Sequence, residues 1–507
     1  PPNHLHTMSS SLFQKLTAPN GRSVEQPLGI FINNEWREAK SGEKISVISP
    51  IDEQEIVQVH AGGEDDVDDA VKAARAALKG PWSKVSATER GEMMRKLADL
   101  AEELTDTLAS IDTWNNGKRF SSAQGDVGEL TGVLRYYAGF ADKVSGQVIS
   151  TNDNKFAYTT REPIGVCGQI IPWNYPLGMA AWKLGPAIAA GNTVVLKPAE
   201  QTPLSVLIFA TLIAKAGFPP GVINIVNGFG RTAGASLARH LDVDKIAFTG
   251  STDTGREIVK LAATNLKEIT LETGGKSPLI IFGDAELENA VKWAHYGIMA
   301  NQGQICTATS RLFIHDSIYE KFVDLFVEEV KKASIVGDPY AAGTFQGPQV
   351  TKAQYDRVLS YVEEGKREGA TLRYGGNPYK GVNGKGFFIE PAVFTDVKDN
   401  MKIYREEVFG PLAAISSFST EDEVIQRAND TFYGLGAAIF TENITRAHAV
   451  AKRIEAGMVW VNSSNDSDFR IPFGGVKQSG IGRELGESGI LAYTTVKAVH
   501  VNLGNRL

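Results

Sequence analysis

Three side chains of different chemical type stand out, because together they would serve an acyl-transfer reaction. Cys306, in the stretch "NQGQICTATSR", is one of only two cysteines in the 507 residues. Glu272 ends the apolar run of "EITLETGGK" and is followed by Gly274 and Gly275, and Asn174 lies between prolines in "PWNYP". A thiol can attack a carbonyl carbon, a partly desolvated carboxylate can act as a general base, and an amide can donate a hydrogen bond to an oxyanion.

Each of these residues also has an ordinary structural interpretation. An unpaired cysteine is among the most frequently buried residue types, and asparagine commonly closes a turn. The second cysteine, Cys167, fits the buried type, because it lies mid-strand in the apolar run "IGVCGQI". Taken singly, the three candidates do not decide between chemistry and structure. Taken together with a nicotinamide site, they indicate oxidation of a carbonyl through a covalent thioester.

Glycine-rich and charged residues that follow apolar strands indicate such a dinucleotide site. The stretch "FTGSTDTG" (Phe248–Gly255) lies between a predicted strand and a predicted helix, whose first N–H groups would face a phosphate. Its GxTxxG spacing departs from the usual GxGxxG, and a tight turn explains it equally well. Lys197 and Glu200 in "VLKPAE" can bond to ribose hydroxyls. The alternative is that the two charged side chains form a pair on a solvated loop. The carboxylate of Glu200 would repel a 2′-phosphate, which favours NAD over NADP.

Alternating strand and helix patterns supply the framework for these residues. Between residues 164 and 274, short apolar runs end in glycine, proline or polar residues, with helical stretches such as Thr202–Gly217 between them. This alternation predicts an α/β fold with a parallel, doubly wound sheet, whose ligand binds beyond the carboxyl ends of the strands. A second α/β series begins near Gly275, with one helical pattern closed by Lys331–Lys332 and another that includes "RVLSYVEEGKREGA".

Other patterns in the chain are interpreted as structural. The segment Glu64–Gly80 predicts an amphipathic helix with acidic residues at its positive end and a glycine at its stop, so a metal role is not expected. The stretches "KFAYTTRE" (residues 155–162) and "AYTTVKAVHVNL" alternate like strands outside both α/β series. Pairing between subunits and an ordinary hairpin fit these two stretches equally well.

Length and composition exclude several classes of protein. A chain of 54.8 kDa requires two or three domains. Its 52 basic and 59 acidic residues give a net charge of −7, without the basic block that nucleic acid requires. No apolar run reaches the roughly 20 residues that span a membrane, and no cysteine or histidine spacing predicts a metal site. Two cysteines cannot form a disulfide framework, so a reducing compartment and a cytoplasmic location are expected.

The beginning of the chain carries little targeting information. We interpret "PPNHLHT" as a cloning remnant, with natural sequence beginning at Met8. The serine-rich stretch that follows, with Lys15 and Arg22, resembles a mitochondrial import signal only weakly. A mitochondrial location is therefore less expected than a cytoplasmic one.

The sequence resembles the NAD(P)-dependent aldehyde dehydrogenase superfamily over nearly its whole length, from "FINNEW" to "GRELGESGILAYTTVK". The blocks that carry the resemblance are, in order, "PWNYP", "KPAE", "FTGS", "LETGGKSP", "GQICTATSR", "EEVFGP" and "PFGGVKQSGIGRE". Seven ordered blocks make a chance likeness negligible. One block departs from the family, because Thr273 replaces the usual leucine beside Glu272.

The resemblance implies a role for each matched residue. Cys306 looks like the nucleophile and Glu272 like the general base, while Asn174 and the backbone N–H of Cys306 would form the oxyanion hole. The implied cofactor is NAD, with Lys197 and Glu200 at its adenosine ribose, Glu407 at its nicotinamide ribose and Phe409 near the nicotinamide ring. The residues implied in cofactor binding are Ile171, Trp173, Lys197, Glu200, Gly230, Phe248, Gly250, Ser251, Glu407 and Phe409.

The implied reaction has two halves. The thiolate of Cys306 attacks the aldehyde, and transfer of a hydride to NAD then leaves a thioester. Glu272 next activates a water molecule that hydrolyses the thioester and releases the carboxylic acid. Covalent catalysis of this kind replaces one difficult step with two easier ones.

The implied substrate tunnel is apolar and aromatic, with a polar outer wall. Gly178 and Ala300 stand where many relatives carry larger side chains, so a wide tunnel is expected. The tunnel residues are Glu129, Tyr175, Gly178, Met179, Trp182, Ala300, Ile305, Thr307, Asn465, Ser467 and Phe473.

Glu129 is the tunnel residue that bears most on the substrate. It shares a helix face with Asp126 and occupies a place that is often acidic in aminoaldehyde and betaine-aldehyde dehydrogenases. With Tyr175 and Trp182 it could hold a cationic group by charge and cation–π attraction. A solvated helix face is the alternative, and Arg470 could also neutralise Glu129.

The resemblance also implies an architecture and an activity. The fold would combine a Rossmann-like cofactor domain (8–143 and 164–274), an α/β catalytic domain (275–480) and a small β oligomerisation arm (144–163 and 481–507), in a homotetramer or homodimer.

The expected activity is NAD-dependent oxidation of an aldehyde to a carboxylic acid by a broad-range enzyme or, alternatively, by an aminoaldehyde or betaine-aldehyde dehydrogenase. Glu272 argues against a CoA-acylating relative, because a water-activating base would waste the thioester. The joint presence of Cys306, Glu272 and Asn174 argues against a non-enzymatic binding protein or a redox switch on this fold.

Overall fold

The computed structural model describes residues 12–504 and residue 506, so Met8 and the seven residues before it lie outside the described part. The strands of residues 12–163 are β1 (Phe13–Thr17), β2 (Ser23–Pro27), β3 (Ile30–Ile32), β4 (Glu35–Arg37), β5 (Lys44–Ile48), β6 (Glu55–His60), β7 (Val148–Ile149) and β8 (Lys155–Pro163). The α-helices of this segment are α1 (Glu64–Lys79), α2 (Ala87–Glu103), α3 (Thr105–Asn116) and α4 (Phe120–Phe140).

Residues 164–274 alternate between strands and helices, as the apolar pattern predicts. The strands are β9 (Val166–Ile170), β10 (Thr193–Lys197), β11 (Ile223–Ile225), β12 (Lys245–Thr249) and β13 (Glu268–Glu272). The α-helices are α5 (Pro176–Ala189), α6 (Leu204–Ala210), α7 (Ile213–Ala216), α8 (Ala235–Arg239) and α9 (Thr252–Ala262). The predicted helix over Thr202–Gly217 is divided into α6 and α7. Thr211 lies at the break, and its hydroxyl donates to the carbonyl of Ile208, which competes with helix continuation.

The second α/β series occupies residues 275–480. Its strands are β14 (Pro278–Ile281), β15 (Arg311–His315), β16 (Thr371–Tyr374), β17 (Ala392–Thr395), β18 (Leu412–Phe418), β19 (Gly436–Phe440) and β20 (Met458–Val461). Its α-helices are α10 (Leu287–Met299), α11 (Tyr319–Ala333), α12 (Lys352–Arg367), α13 (Lys402–Arg405), α14 (Glu421–Asn429) and α15 (Ile444–Arg453). The two helices predicted in this series are confirmed as α11 and α12. The chain continues with β21 (Gly480–Ile481), α16 (Gly486–Leu491) and β22 (Thr494–Asn502).

The first large sheet has the strand order β21-β13-β12-β9-β10-β11-β3-β4. Its five central strands, β13 to β11 in that order, are parallel, and antiparallel strands flank them. Alternate residues of β10 enter two different cores, with Val194 and Leu196 on one side and Val195 on the other. Burial on both faces confirms the predicted doubly wound sheet. Cys167 in β9 is fully buried, which confirms it as a core residue.

The second large sheet has the order β16-β17-β18-β15-β14-β19-β20 and is parallel except for the edge strand β16. It is also buried on both faces, because Ile280 packs in one core while Leu279 and Ile281 pack in another. The chain therefore contains two α/β units. Strand β21 returns to the first sheet, where Gly480 pairs with Glu272 at the end of β13.

A small antiparallel sheet has the order β22-β8-β7. Strands β22 and β8 pair along their full lengths, from Thr494 opposite Pro163 to Asn502 opposite Lys155. The two alternating stretches of the sequence are therefore confirmed as strands, and they pair with each other within one chain.

Helix α1 has the predicted form. Three acidic residues occupy its first turn, Gly80 caps its end, and its apolar face with Val67, Val71 and Ala74 is buried. Within residues 12–504 and 506, the helices are all too short or too polar to traverse a lipid bilayer.

Candidate active site

A cavity of about 340 Å³ lies at the carboxyl ends of β12 and β13, where residues of the second α/β unit face them. This is the edge at which a doubly wound sheet binds its ligand. The predicted site residues that line it are Cys306, Glu272, Asn174, Trp173, Gly250, Ser251, Glu407, Phe409, Glu129, Tyr175, Gly178, Met179, Trp182, Ile305, Thr307, Asn465, Ser467 and Phe473. Side chains from distant parts of the sequence thus meet around one space.

Cys306 follows a loop with an unusual backbone. Asn301, Gln302 and Gly303 all have left-handed φ values of 48°, 58° and 69°. Such conformations cost energy for residues other than glycine, so surrounding contacts must hold the loop. An added Cβ at Gly303 would lie 2.1 Å from the carbonyl oxygen of Gly410, which excludes a larger residue there. The amide of Gln302 donates to the carbonyls of Gly117 and Pro348 and ties the loop to both α/β units.

The thiol of Cys306 is partly exposed to the cavity. Burial raises the pKa of this thiol above its ordinary range, and the nearby carboxylates of Glu407 and Glu272 raise it further. Backbone N–H groups of Cys306 and Thr307 act in the opposite direction, because they favour the thiolate. The thiol therefore stays largely protonated at neutral pH in the enzyme without cofactor.

Asn174 is held at the entrance to α5 with its side chain near the nucleophile loop. Its Nδ2 atom donates to the carbonyl oxygen of Gln304, at 3.0 Å. The residue is 5% exposed and lines the same cavity as Cys306. An amide donor of this kind, fixed beside a thiol, is suited to stabilise an oxyanion. The alternative of a simple turn cap is disfavoured, because the amide bonds across to another segment.

A buried lysine supports the peptide of Asn174. Lys118 is fully buried, its Nζ donates to the carbonyl oxygen of Asn174 at 2.8 Å, and it forms an ion pair with Asp126. The same Nζ lies 4.1 Å from the ring centre of Tyr175 and 3.9 Å from the carboxylate of Asp112. The cluster fixes the first turn of α5 through charge-assisted bonds in a low-dielectric environment.

Glu272 lies at the end of β13 with its carboxyl in the cavity wall. The residue is 2% exposed, and neither carboxylate oxygen has a hydrogen-bond partner among the described residues. Burial raises the pKa of Glu272 well above its usual range, and the neighbouring Glu484 raises it further, while Lys183 opposes them. The sequence predicts a desolvated carboxyl at the end of a strand. Glu272 lies at the end of β13, is buried, and has a raised pKa, as that prediction requires.

A second buried ion pair lies beside Glu272. Lys183 Nζ is 2.5 Å from Glu484 Oε1 and 2.7 Å from the hydroxyl of Thr249, and both charged residues are almost completely buried. Lys183 is a lone charge within the apolar helix α5, which is the pattern by which the sequence could have revealed it.

Glu407 and Phe409 also line the cavity that contains Glu272. The carboxylate of Glu407 accepts a hydrogen bond from the N–H of Gly275 at 3.0 Å, and burial raises its pKa to about 7. A Cβ on Gly274 would lie 2.2 Å from Glu407 Oε2, so only glycine permits this approach. Phe409 packs edge-on against Trp173, with 5.2 Å between the ring centres.

The predicted adenosine-ribose residues form a separate group outside the cavity lining. Lys197 Nζ lies 3.1 Å from Glu200 Oε2, and the N–H of Gly230 lies 3.4 Å from Glu200 Oε1. Ile171 donates its N–H to the carbonyl of Lys197, so it supports this group through the backbone. An ammonium donor and a carboxylate acceptor side by side fit a ribose diol.

The turn between β12 and α9 lines the cavity through Gly250 and Ser251. At Gly250 a Cβ would lie 2.5 Å from the ring of Phe248, which explains the glycine. Phe248 itself is buried under the turn and does not line the cavity. Helix α9 begins at Thr252 with Ser251 as its cap, four residues earlier than the "REIVKLAA" stretch indicates. A glycine turn that leads into a helix start is suited to a pyrophosphate, so the described residues fit a dinucleotide.

The substrate end of the cavity contains an acidic group among aromatic rings. Trp182 Nε1 donates to Glu129 Oε1 at 2.9 Å, and Trp182 packs against Phe473 with 4.8 Å between ring centres. Burial raises the pKa of Glu129, and Asp126 and Asp468 add to that rise. Glu129 is half-buried and lines the cavity beside these rings, which fits the cation-binding interpretation, and its partial exposure also fits a helix face in contact with solvent.

Two expectations about the tunnel are corrected by the structure. Arg470 does not neutralise Glu129, since its guanidinium pairs with the adjacent Asp468. Ala300 is not among the cavity residues, because it lies buried at the end of α10. One turn earlier on the same helix, Tyr296 lines the cavity.

Several cavity residues had no assigned role at the level of sequence. They are Asp126, Pro172, Thr249, Thr273, Gly274, Tyr296, Gln354, Arg357 and Glu484. Gln354 and Arg357 lie one turn apart on α12, where they donate to the carbonyls of Phe409 and Glu407. Their sequence is that of an ordinary surface helix, so only the fold shows that they reach the cavity.

Comparisons with known proteins agree with this geometry. The model described as "Aldehyde dehydrogenase family" matches residues 36–499. An aldehyde dehydrogenase from Alternaria alternata is 53% identical over 495 residues, which cover 97% of this chain and 99% of that protein. The NAD+ complex of aldehyde dehydrogenase from Bacillus cereus is 47% identical with a TM-score of 0.92, and the match covers 94% of this chain and 97% of that chain. Betaine aldehyde dehydrogenase from Staphylococcus aureus in complex with NAD+ is 39% identical with a TM-score of 0.93, over 95% of this chain and 96% of that chain.

Proposed function

The chain belongs to the aldehyde dehydrogenase family, and on that premise we propose that it uses NAD to oxidise an aldehyde through a thioester on Cys306. The observation that carries the proposal is the meeting of Cys306, Asn174 and Glu272 around one cavity. A thiol, an oxyanion donor and an unpaired buried carboxyl are the groups that formation and hydrolysis of a thioester require.

The first half of the reaction forms the bond between sulfur and carbon. The thiolate of Cys306 attacks the aldehyde carbon, and the negative charge develops on the former carbonyl oxygen. Asn174 Nδ2 and the backbone N–H of Cys306 then donate to that oxygen. Loss of one such donor typically costs about 3–4 kcal/mol of transition-state stabilisation. When bound, NAD would supply the hydride acceptor that turns the adduct into a thioester.

The second half breaks the thioester. The carboxylate of Glu272 removes a proton from a water molecule, the water oxygen bonds to the acyl carbon, and the bond to sulfur breaks. Because its pKa is raised, the ionised form of Glu272 is a stronger base toward water than an ordinary carboxylate. The same geometry disfavours transfer of the acyl group to CoA, because activated water would compete.

The preference for NAD over NADP is proposed from Glu200. Its carboxylate lies beside Lys197 at the end of β10, and the ammonium of Lys197 lowers the pKa of Glu200. Glu200 is therefore charged at neutral pH and would repel a 2′-phosphate.

A cationic aldehyde is a second candidate substrate, favoured by the state of Glu129. One carboxylate oxygen of Glu129 is bonded to Trp182, and no ion pair occupies this carboxylate among the described residues. Tyr175, Trp182 and Phe473 supply aromatic surface around it. An acidic group beside aromatic rings is an arrangement that binds ammonium groups. The relative from Staphylococcus aureus described above is named for betaine aldehyde.

The proposal extends to assembly and location. Exposed apolar residues on the sheet of β7, β8 and β22, among them Val148 and Val496, support a homodimer or homotetramer that covers them. Both cysteines are unpaired, which fits the reducing conditions of the proposed cytoplasmic location. Gradient fractionation of the native host tests the location.

A spectrophotometric panel tests the proposed activity. Acetaldehyde, hexanal, benzaldehyde, 4-aminobutanal and betaine aldehyde are each supplied with NAD and with NADP, and Cys306→Ala serves as the control. We expect NADH formation that depends on Cys306 and is faster with NAD than with NADP. Lack of NAD reduction with every aldehyde, or equal turnover by Cys306→Ala, would contradict the proposed function.

A further inference from the structure

Thr273 lies next to Glu272 and takes the place of the leucine that is usual in the family. It is 3% exposed, and its side chain contacts two other parts of the site. Its hydroxyl donates to the carbonyl oxygen of Gln478 at 2.7 Å, and its N–H donates to the carbonyl oxygen of Ser479 at 3.0 Å. A leucine could make the backbone bond but not the bond through the hydroxyl.

The segment that Thr273 holds also encloses the carboxyl of Glu272. A Cβ on Gly474 would lie 2.7 Å from Glu272 Oε1, and a Cβ on Gly480 would lie 3.6 Å from Glu272 Oε2. The carboxyl thus rests in a slot between two glycines. Because neither of its oxygens has a hydrogen-bond partner among the described residues, the walls of this slot fix its position.

Few other side chains attach the segment to β13. Ser479 donates its hydroxyl to the carbonyl of Gly274 at 2.7 Å and holds the far side of the turn. Thr252 at the start of α9 reaches the carbonyl of Gln478 only at 3.5 Å, the limit for a hydrogen bond. The side chain of Gln478 is bonded separately to the guanidinium of Arg256 on α9, so the bond from Thr273 is the short side-chain bond at the Gln478 carbonyl.

The methyl group of Thr273 has a separate role in packing. A Cβ on Gly255 of α9 would lie 2.8 Å from Thr273 Cγ2, so the methyl group fills the space above that glycine. Serine would keep the hydroxyl and lose this contact, while valine would keep the contact and lose the hydroxyl. The two variants separate hydrogen bonding from packing.

We propose that Thr273 is a positioning residue for Glu272: its hydroxyl holds the Gln478 carbonyl and keeps the glycine slot closed around the base. This inference rests on the proposed function, because it assigns Thr273 to hydrolysis of the thioester and leaves the attack by Cys306 unaffected. Loss of the hydroxyl loosens the slot, and the carboxyl then spends less time in the orientation that activates water.

The test measures hydrolysis alone. The enzyme is acylated with p-nitrophenyl acetate: the sulfur of Cys306 bonds to the acetyl carbon, and nitrophenolate leaves. After rapid removal of the ester, intact-mass spectrometry follows loss of the acetyl group to water. We expect Thr273→Val to lose it about three- to tenfold more slowly than the unaltered enzyme, the range for removal of one buried hydrogen bond. Thr273→Ser should stay within about twofold, and the nitrophenolate burst should be the same in all three proteins.

Thr441→Val is the matched control. Thr441 is a buried threonine after β19 whose hydroxyl is bonded to Asp284, and it does not line the cavity that contains Glu272. We expect it to lose the acetyl group at the unaltered rate.

Two results would overturn the role of Thr273 while leaving the proposed function intact. One is loss of the acetyl group from Thr273→Val at the unaltered rate. The other is equal slowing in Thr273→Ser and Thr273→Val, which would assign the effect to packing. If the ester fails to label Cys306 in the unaltered enzyme, the covalent route itself is contradicted.

Discussion

At the scale of single residues, the titratable groups around the cavity favour their uncharged forms. Burial raises the pKa of Cys306, Glu272 and Glu129 above their ordinary values, and that of Glu407 to about 7. The carboxyls of Glu407 and Glu272 also raise the pKa of the Cys306 thiol, so their ionisation opposes formation of the thiolate. The site is therefore expected to gain negative charge in steps as the pH rises.

This arrangement predicts alkaline activation of the nucleophile. Only the thiolate reacts with alkylating agents, and a raised thiol pKa means that the thiolate fraction grows with pH above the ordinary thiol range. We expect the rate of iodoacetamide labelling of Cys306 in the cofactor-free enzyme to rise continuously from pH 7 to beyond about 9. Labelling that levels off below pH 7 would contradict the assigned environment. Cys167 should remain unlabelled in the same samples, because it is fully buried.

Glu129 predicts a change in substrate preference. Glu129→Gln keeps the shape of the side chain and an acceptor for Trp182 Nε1, but it removes the charge. We expect kcat/KM for 4-aminobutanal and betaine aldehyde to fall about tenfold, while hexanal changes less than about twofold, because a close charge pair at a partly buried contact contributes about 1.5 kcal/mol or more. Because the pKa of Glu129 is raised, KM for cationic aldehydes should also decrease as the pH rises. Equal changes for cationic and neutral aldehydes would show that Glu129 does not select charge.

Single residues could be predicted from the sequence where the residue type is rare in the chain, or where nearby glycine or proline residues restrict the backbone. Cys306, Glu272 and Asn174 stand beside glycine or proline at strand and helix ends, and the structure brings all three to one cavity. Ala300 was not predictable, because a one-turn difference along α10 places Tyr296 at the cavity instead. The pairing of Arg470 with Asp468 is a local competition that sequence spacing does not resolve.

At the scale of elements, helix α5 carries much of the site on one surface. Its first residues follow Asn174 and Tyr175, and Gly178, Met179 and Trp182 line the cavity one turn further on. Lys118, from the loop before α4, fixes the start of this helix through the carbonyl of Asn174. The position of the amide donor therefore depends on a buried cation from another element.

Lys118 gives a prediction about stability. Lys118→Met fits the same space but leaves Asp126 and Asp112 without their cation in a buried environment. Removal of one partner from a buried ion pair typically destabilises a protein by about 3–5 kcal/mol. We expect a clear decrease in the thermal unfolding temperature, measured by calorimetry.

The matched control for this prediction is Lys331→Met on α11. Lys331 forms an exposed pair with Glu328, and such pairs contribute about 0–1 kcal/mol. Equal unfolding temperatures for the Lys118 and Lys331 variants would contradict the structural role of Lys118.

The elements themselves were predictable where apolar periodicity was long and the stop residues were distinct. Helix α1 shows this, since acidic residues at its start and Gly80 at its end agree with the observed bounds. The break between α6 and α7 was not predictable from periodicity, because a single threonine side chain interrupts a continuous apolar face. The left-handed loop at 301–303 also lacks a sequence pattern of its own, since two of its three residues are not glycine.

At the scale of the whole molecule, two α/β units and a small antiparallel sheet are connected through the end of the chain. Strand β21 joins the first sheet, and β22 then pairs with β8. The alternation of apolar runs predicted the two units, because parallel strands buried on both faces read as continuous apolar segments. It did not predict that residues 480 and 481 return to the first sheet, since two residues carry no periodicity.

The exposed face of the small sheet gives a prediction about assembly. Val501 on β22 and Phe156 on β8 pair with each other, point to the same face and are 37% and 42% exposed. If a second copy covers this face, Val501→Asp should shift the assembly to a smaller species in size-exclusion chromatography with light scattering. A monomeric unaltered protein, or an unchanged mass in the variant, would contradict the proposed oligomer.

The central claim is that Cys306 carries an acyl group that Glu272 releases, and trapping that group tests it most directly. Glu272→Gln is mixed with hexanal and NAD, quenched in acid and examined by intact-mass and peptide mass spectrometry. We expect a burst of NADH close to one per active site, slow turnover afterwards and a hexanoyl group on Cys306. Rapid steady turnover by Glu272→Gln, or a burst without an acyl group on Cys306, would contradict it.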